Sequence, residues 1–185
     1  MESDLRQRML TYYDERASEY EEAYTLGTGT ASIPDPELFK AEARALASTV
    51  SRFAHGRLMD LACGTAYWLP YYAPNCSLIT LFDQSDRMLT EGRAKADRLG
   101  IVDRCAFVQG DFLAHEFDQA AYDTVLVGFF LSHLTEAQER LLFDALLVSS
   151  PDEPSAEYGL IAECVSYPAD FSSVTFSLRP EARFH

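Results

Sequence analysis

The chain has 185 residues, 48% of them hydrophobic and 24% charged, which is enough to bury one domain-sized core. Fifteen basic and 29 acidic residues leave a formal charge of −14, a field that repels phosphate backbones and anionic membrane surfaces. Arg6, Arg8 and Arg16 are interleaved with acids, as are Arg93, Lys95 and Arg98, so neither nucleic acid nor a membrane is an expected partner.

The N-terminal segment carries Leu5, Met9, Tyr12, Tyr13, Arg16, Ala17, Tyr20 and Tyr24 at mostly helical spacing, and Gly27 and Gly29 break it. Asp35 as N-cap, Pro36 at the first helical position and Glu37 in the first turn open a second helix. Its buried stripe is Leu38, Leu46, Val50 and Phe53, and Gly56 closes it. Strands and helices then alternate. Residues 57–61 read as a strand, 66–73 as a short helical stretch limited by Pro70 and Pro74, and 78–82 as a second strand. Asp86 to Leu99 is a helix carrying Met88, Leu89, Ala96 and Leu99, stopped by Gly100. Residues 105–108 form a third strand, and 122–127 a fourth that is apolar enough to be buried on both faces. Thr135 to Gln138 is a capping box for a helix with Leu141, Leu142, Ala145 and Leu146 inward, and 159–165 is a fifth strand. This alternation predicts an α/β fold, a doubly wound and mostly parallel sheet with helices on both faces.

Cys63, Cys76, Cys105 and Cys164 show no CxxC pair and no His-paired metal spacing; Cys105 and Cys164 sit in apolar stretches as small core residues. No metal site is expected. The start MESDLRQRML lacks a signal-peptide pattern, and no stretch approaches the ~20 apolar residues of a membrane span, so a reduced cytoplasmic setting is expected.

In such a sheet, ligands sit beyond the carboxyl ends of the strands, where strand order reverses. The first strand ends in Asp60 and runs into Ala62, Cys63, Gly64 and Thr65. Small residues let backbone approach a ligand closely, and the acid suits a cationic group better than a pyrophosphate. A dinucleotide fingerprint would carry G-x-G-x-x-G here, whereas this loop has Gly64 alone. The second strand ends in Asp83, able to accept both hydroxyls of a ribose. After the third strand, Gly110-Asp111-Phe112 supplies an acceptor for an amino group and an apolar contact beside a ring. Three acids so placed describe a nucleoside with a cationic tail.

These residues resemble the class I S-adenosylmethionine-dependent methyltransferases, within them the small bacterial type with an N-terminal YYDxRAxEY segment. That segment is Tyr12 to Tyr20 here, and the other matches are Asp60 to Thr65, Asp83 to Leu89, Gly110 to Phe112, and Asp123 to Leu134. The resemblance spans about residues 10 to 148. It implies a Rossmann-like sheet of order 3-2-1-4-5 in one domain over 1–185: an N-terminal helical lid (1–30), a core (35–148) and an atypical end (149–185). It implies S-adenosyl-L-methionine as cofactor, its amino end at Asp60 and the backbone of Ala62, Cys63 and Gly64, its carboxylate on Arg16, and its ribose on Asp83. Gln84 and Met88 would flank the adenine, and Gly110, Asp111 and Phe112 would complete that pocket, with Gly128 and Phe129 after the fourth strand. Tyr13 and Tyr20 would cover the sulfonium. His133, with Tyr13, is the candidate catalytic group, because the pKa range of histidine suits general-base work.

Blander roles compete at each position. Acids at strand ends also make turns, a tyrosine stripe also packs a helix, Arg16 also suits solvent, and His133 also precedes the Thr135 cap. The family pattern usually has glycine where this chain has Ala66, and a glycine turn where it has Ser149 to Pro154. The tail Ser172 to His185 offers at most one more strand, and a truncated or frame-shifted end is expected. The fourth strand lacks a following Asn/Asp-Pro-Pro-Tyr/Phe, which disfavours methylation of base or glutamine amines. A small, partly apolar acceptor fits better, with Tyr67, Trp68, Phe129 and Phe130 lining its site. Two other readings stay open on the residues alone: a catalytically impaired protein of this fold, and a nicotinamide-dependent oxidoreductase.

Overall fold

Strand order is β3-β2-β1-β4, all parallel, built from β1 (Gly56–Leu61), β2 (Cys76–Asp83), β3 (Cys105–Gln109) and β4 (Thr124–Val127). The computed structural model describes residues 2–21, 36–117, 122–148, 161–162 and 177–178. The helices among them are α1 (Glu2–Arg16), α2 (Pro36–Phe53), α3 (Leu69–Tyr72), α4 (Asp86–Arg98) and α5 (Glu136–Val148). The parallel doubly wound arrangement is the one expected, and the crossovers through α3 and α4 account for it: each returns the chain to the same end of the sheet.

The chemistry of β1 explains its central place. Its residues alternate between two buried faces. Leu58 faces a core made with Leu46 and Val50 of α2, Leu69 and Tyr72 of α3, Ile79 and Leu81 of β2, and Leu126 of β4. Met59 and Leu61 face a second core with Phe82, Phe112, Val127, Leu131 and Leu142. Each such aliphatic side chain removed from water stabilises the fold by about 1.5–3 kcal/mol.

Local capping accounts for several ends. Ser85 caps α4, its hydroxyl accepting from the Met88 amide at 3.1 Å, and Gly100 leaves the helix at φ +69°. The Thr135 capping box is reciprocal: the Gln138 amide donates to Thr135 Oγ1 at 3.3 Å, and the Thr135 amide to Gln138 Oε1 at 2.9 Å.

Other ends differ. α1 stops at Arg16 and residues 17–21 form turns, so Ala17 and Tyr20 lie beyond the helix, and Tyr24 lies outside the described residues. α3 starts at Leu69 rather than Ala66, because Ala66 sits at φ +56°, outside the right-handed helical region. Gly56 does more than end α2: at φ +62° it begins β1, and a Cβ there would lie 2.9 Å from Asp123 Cβ. Within the fifth strand expected over 159–165, the described residues are β5 (Ile161–Ala162), which pairs antiparallel with β6 (Ser177–Leu178); 159–160 and 163–165 lie outside them. Among the described residues the parallel sheet has four strands. Asp35, Cys164 and the rest of the 149–185 end lie outside the described residues.

Asp60 shares the face of Leu58 and is 2% exposed. The Tyr72 hydroxyl donates to its Oδ2 at 2.8 Å. Burial in this apolar core pushes its pKa up from 3.8 to about 7, against the pull of that hydrogen bond.

Two outcomes follow for stability. A folded pKa above the unfolded one gives stability that is complete below pH about 4 and lost as the pH rises through about 7. Urea unfolding from pH 4 to 7 should show this slope, worth up to about 1.4 kcal/mol per pH unit, with a plateau above it, and Asp60→Asn should flatten it. Gly56→Ala should cost about 2 kcal/mol or more in the same measurement, through the left-handed backbone and the contact with Asp123.

Candidate functional site

The carboxyl ends of β1, β2 and β4 meet under the N-terminal segment and enclose a cavity of about 220 Å3. Its floor is Ala62 and Gly64 after β1, with Phe82, Asp83, Gln84, Ser85 and Met88 at the end of β2 and the start of α4. Phe112, Gly128, Phe129 and Phe130 form one wall, and His133, Leu134, Thr135 and Gln138 another. Leu10, Tyr13 and Tyr20 close it from the N-terminal side.

Asp83 holds this geometry. Its Oδ2 accepts the Gly64 amide at 2.8 Å and its Oδ1 the Ser85 amide at 2.9 Å. An ionised carboxylate has about four lone-pair positions, so acceptor capacity is left for a ligand. Burial pushes the carboxyl up from its usual value, while the Ser85 and Gly64 amides pull it back down. Among the described lining residues there is no Lys or Arg, so Asp83 sets the charge of the floor.

The loop between β1 and α3 is tightly wound. Ala62, Gly64 and Ala66 all have positive φ, at +56°, +53° and +56°. For an alanine this costs about 1–2 kcal/mol, which the surroundings must offset. The Cys63 amide donates to Phe82 O at 3.0 Å and the Ala66 amide to Cys63 O at 2.9 Å. Lys95 of α4, 8% exposed, donates to Ala66 O at 2.9 Å.

The N-terminal segment is anchored at three points. The Ser85 hydroxyl donates to Asp14 Oδ1. Glu21 Oε1 accepts from Thr65 Oγ1 at 2.7 Å and from Lys95 Nζ. Tyr13 Oη and His133 Nε2 lie 3.2 Å apart in a hydrogen bond, and the Tyr13 ring meets Tyr20 edge-on at 5.9 Å. Partial burial lowers the His133 pKa from its usual value, so the imidazole is neutral at pH 7 and has a lone pair to offer.

Of the cofactor and catalytic candidates from sequence, Tyr13, Tyr20, Ala62, Gly64, Asp83, Gln84, Met88, Phe112, Gly128, Phe129 and His133 lie in the cavity wall, as does Phe130 from the expected acceptor site. Five do not. Asp60 points below the loop to Tyr72. Arg16 turns back along α1 to the Tyr12 hydroxyl at 3.0 Å. Cys63 packs against the larger core. Gly110 closes on Phe82, with room for no Cβ (2.9 Å to Phe82 Cζ). Asp111 stands behind Gln84 and accepts its Nε2 at 3.0 Å, together with the Leu113 amide at 3.0 Å. Trp68 lies beneath the wall rather than in it, stacked on Phe129 at 5.7 Å and 11°, with Tyr67 edge-on to it. The motifs did not single out Leu10, Phe82, Ser85, Leu134, Thr135 and Gln138 for the wall, nor Glu21 and Lys95 behind it. The cap at Ser85 and the box at Gln138 were readable, but their facing a cavity was not.

Known proteins share this arrangement. The family model described as methyltransferase domain matches residues 58–151. The demethylmenaquinone methyltransferase of Clavibacter sepedonicus is 30% identical over 129 residues, covering 70% of this chain and 49% of that protein. A solved SAH complex of DhpI superposes with a TM-score of 0.62 at 25% identity, covering 82% of this chain and 66% of that one. A shorter likeness is to the "Probable peptide-binding protein YejA" of Agrobacterium fabrum, 50% identical over 44 residues, 24% of this chain and 7% of that protein. The chain thus spans about half the length of the methyltransferase relative and under a tenth of the peptide-binding one. The family match covers the strands, the loop and the Asp83 end that make the cleft, and the chain belongs to the methyltransferase domain family.

Proposed function

We propose that the cleft binds S-adenosyl-L-methionine and that the protein transfers its methyl group to a small-molecule acceptor. The observation that carries this is Asp83 in a cavity whose described wall holds no cation and many apolar side chains. The donor set fits a nucleoside with a sulfonium, and the loop carries Gly64 alone in place of the G-x-G-x-x-G that a dinucleotide's pyrophosphate approaches. DhpI in its SAH complex supports the reading.

When bound, the cofactor supplies an electrophilic methyl carbon on a good leaving group. The protein's part is then mainly binding and alignment. Asp83 accepts the ribose hydroxyls. Met88, Phe82 and Phe112 give apolar faces to the base, with Gln84 at its edge held by Asp111. Gly64 and Ala62 bring backbone close to the amino-acid end, with Gly128 and Phe129 opposite. Tyr13 and Tyr20, from the segment 12–20, exclude water as a lid. Where the acceptor must lose a proton, the Tyr13 hydroxyl receives it and passes its own to His133 Nε2, its hydrogen-bond partner. Phe130, Leu134 and Leu10 favour an acceptor with an apolar body.

Calorimetry with S-adenosylhomocysteine should show saturable binding, weakened at least about tenfold by Asp83→Asn, which removes a charge-assisted acceptor; no heat at millimolar ligand would overturn the proposal. Incubation with labelled donor and a host metabolite extract should label a small molecule. With that acceptor, His133→Gln should lower kcat about a hundredfold. It should also remove the rising limb of the pH–rate profile, which lies below pH 6.5 because the imidazole pKa is lowered.

A further inference from the structure

Lys95 lies outside the cavity wall, yet two of its contacts reach both parts that shape the cavity. It is a lysine on the inner face of α4, 8% exposed, a place where an ammonium is found only when paired. One contact is the carbonyl of Ala66, at 2.9 Å. The other is the carboxylate of Glu21, in the N-terminal segment. Thr65, the neighbour of Ala66, donates to the same carboxylate oxygen at 2.7 Å. The lid and the loop are therefore joined through one partly buried ion pair.

A second contact of the same helix acts on the same residue. Gly92 precedes Lys95 by three positions, so both lie on one face of α4. A Cβ built on Gly92 would lie 3.4 Å from the Ala66 methyl. The helix thus brings Gly92 into ordinary packing range of that methyl and holds the carbonyl at Lys95. The held carbonyl supports φ +56°, a conformation that an L side chain resists. The Ala66 carbonyl also accepts the Leu69 amide at 3.2 Å where α3 begins. Loss of its ammonium partner lets the 65–66 segment relax toward ordinary backbone angles and shift Gly64, which is two residues away in the cavity floor.

We infer that Lys95 is a positioning residue for the donor site: it holds Ala66 in its left-handed turn and latches the N-terminal lid to that turn through Glu21. The inference rests on reading the cleft as the donor site, and it predicts that ligand affinity depends on a residue outside the wall.

The test uses the full chain, S-adenosylhomocysteine as probe, and backbone amide hydrogen exchange on the ligand-free protein. Lys95→Met should weaken binding about tenfold or more and speed exchange at residues 64–67 by a similar factor. Adding Ala66→Gly to Lys95→Met should restore affinity to within about threefold and slow that exchange again, because glycine takes the left-handed turn without a held carbonyl. A lysine needed only for general stability would not be rescued by that second change. Glu21→Gln, at a partly exposed residue, should loosen residues 17–21 while leaving 64–67 protected, and should weaken binding by about threefold. Lys95→Met binding within twofold of the wild type, or a loss that Ala66→Gly leaves in place, overturns the inference. If Lys95→Met does not fold, the Glu21→Gln pattern decides: protection changed at neither segment overturns it. If the unaltered protein binds no S-adenosylhomocysteine, the donor-site reading fails by itself, and the exchange rates of the same variants decide the role of Lys95.

Discussion

One carboxylate joins the two strand ends that make the cleft. Asp83, the last residue of β2, takes the amide of Gly64 on one oxygen and the amide of Ser85 on the other. The first bond ties the loop after β1 to β2, and the second places the start of α4. Ser85 in turn caps α4 and donates to Asp14 of the N-terminal segment. Floor, helix and lid are therefore all referenced to one side chain. That side chain cannot be exchanged for a neutral isostere without altering the loop, the cap and the cavity's charge together, because these share its lone pairs.

The parallel sheet was legible because its signals are local. Alternating apolar runs, Gly100 after α4 and the Thr135–Gln138 box each depend on a few neighbouring residues, and all appear where expected. The strand ends were legible for the same reason, since a chain that leaves a parallel sheet does so at its carboxyl edge. What escaped was direction. Asp60 is one residue before the loop, but a strand alternates faces, so its carboxylate shares the interior with Leu58 and meets Tyr72. A period-two count from Leu58 already contains that answer. Arg16 escaped differently: its nearest partner is Tyr12, one helical turn back. The ion pair of Glu21 and Lys95 had no sequence signal, because the two residues are 74 positions apart and meet only when the lid is in place.

The interior polar groups form two layers. Nearest the cavity, Asp83 is solvated by amides and keeps acceptor capacity for a ligand. One layer down, Asp60 and Tyr72 satisfy each other in a core that contributes nothing else polar to that carboxylate among the hydrogen bonds of its side chain. The upper layer suits recognition, since its unfilled lone pairs face a space. The lower layer suits rigidity, and its cost depends on pH because the buried acid titrates near neutrality. Burial raises both acids, but Asp83 has the Gly64 and Ser85 amides to hold its charge whereas Asp60 has the Tyr72 hydroxyl.

Trp68 is the sole tryptophan of the chain. It is 6% exposed and its ring stacks on Phe129, whose other face borders the cavity. The indole nitrogen sits so close to Gly128 that a Cβ there would lie 2.9 Å from it. The protein therefore carries an intrinsic fluorophore one ring away from its binding space. Emission from a single indole reports on that wall with no label and no averaging over other tryptophans, which makes filling of the cleft an optical signal native to the chain.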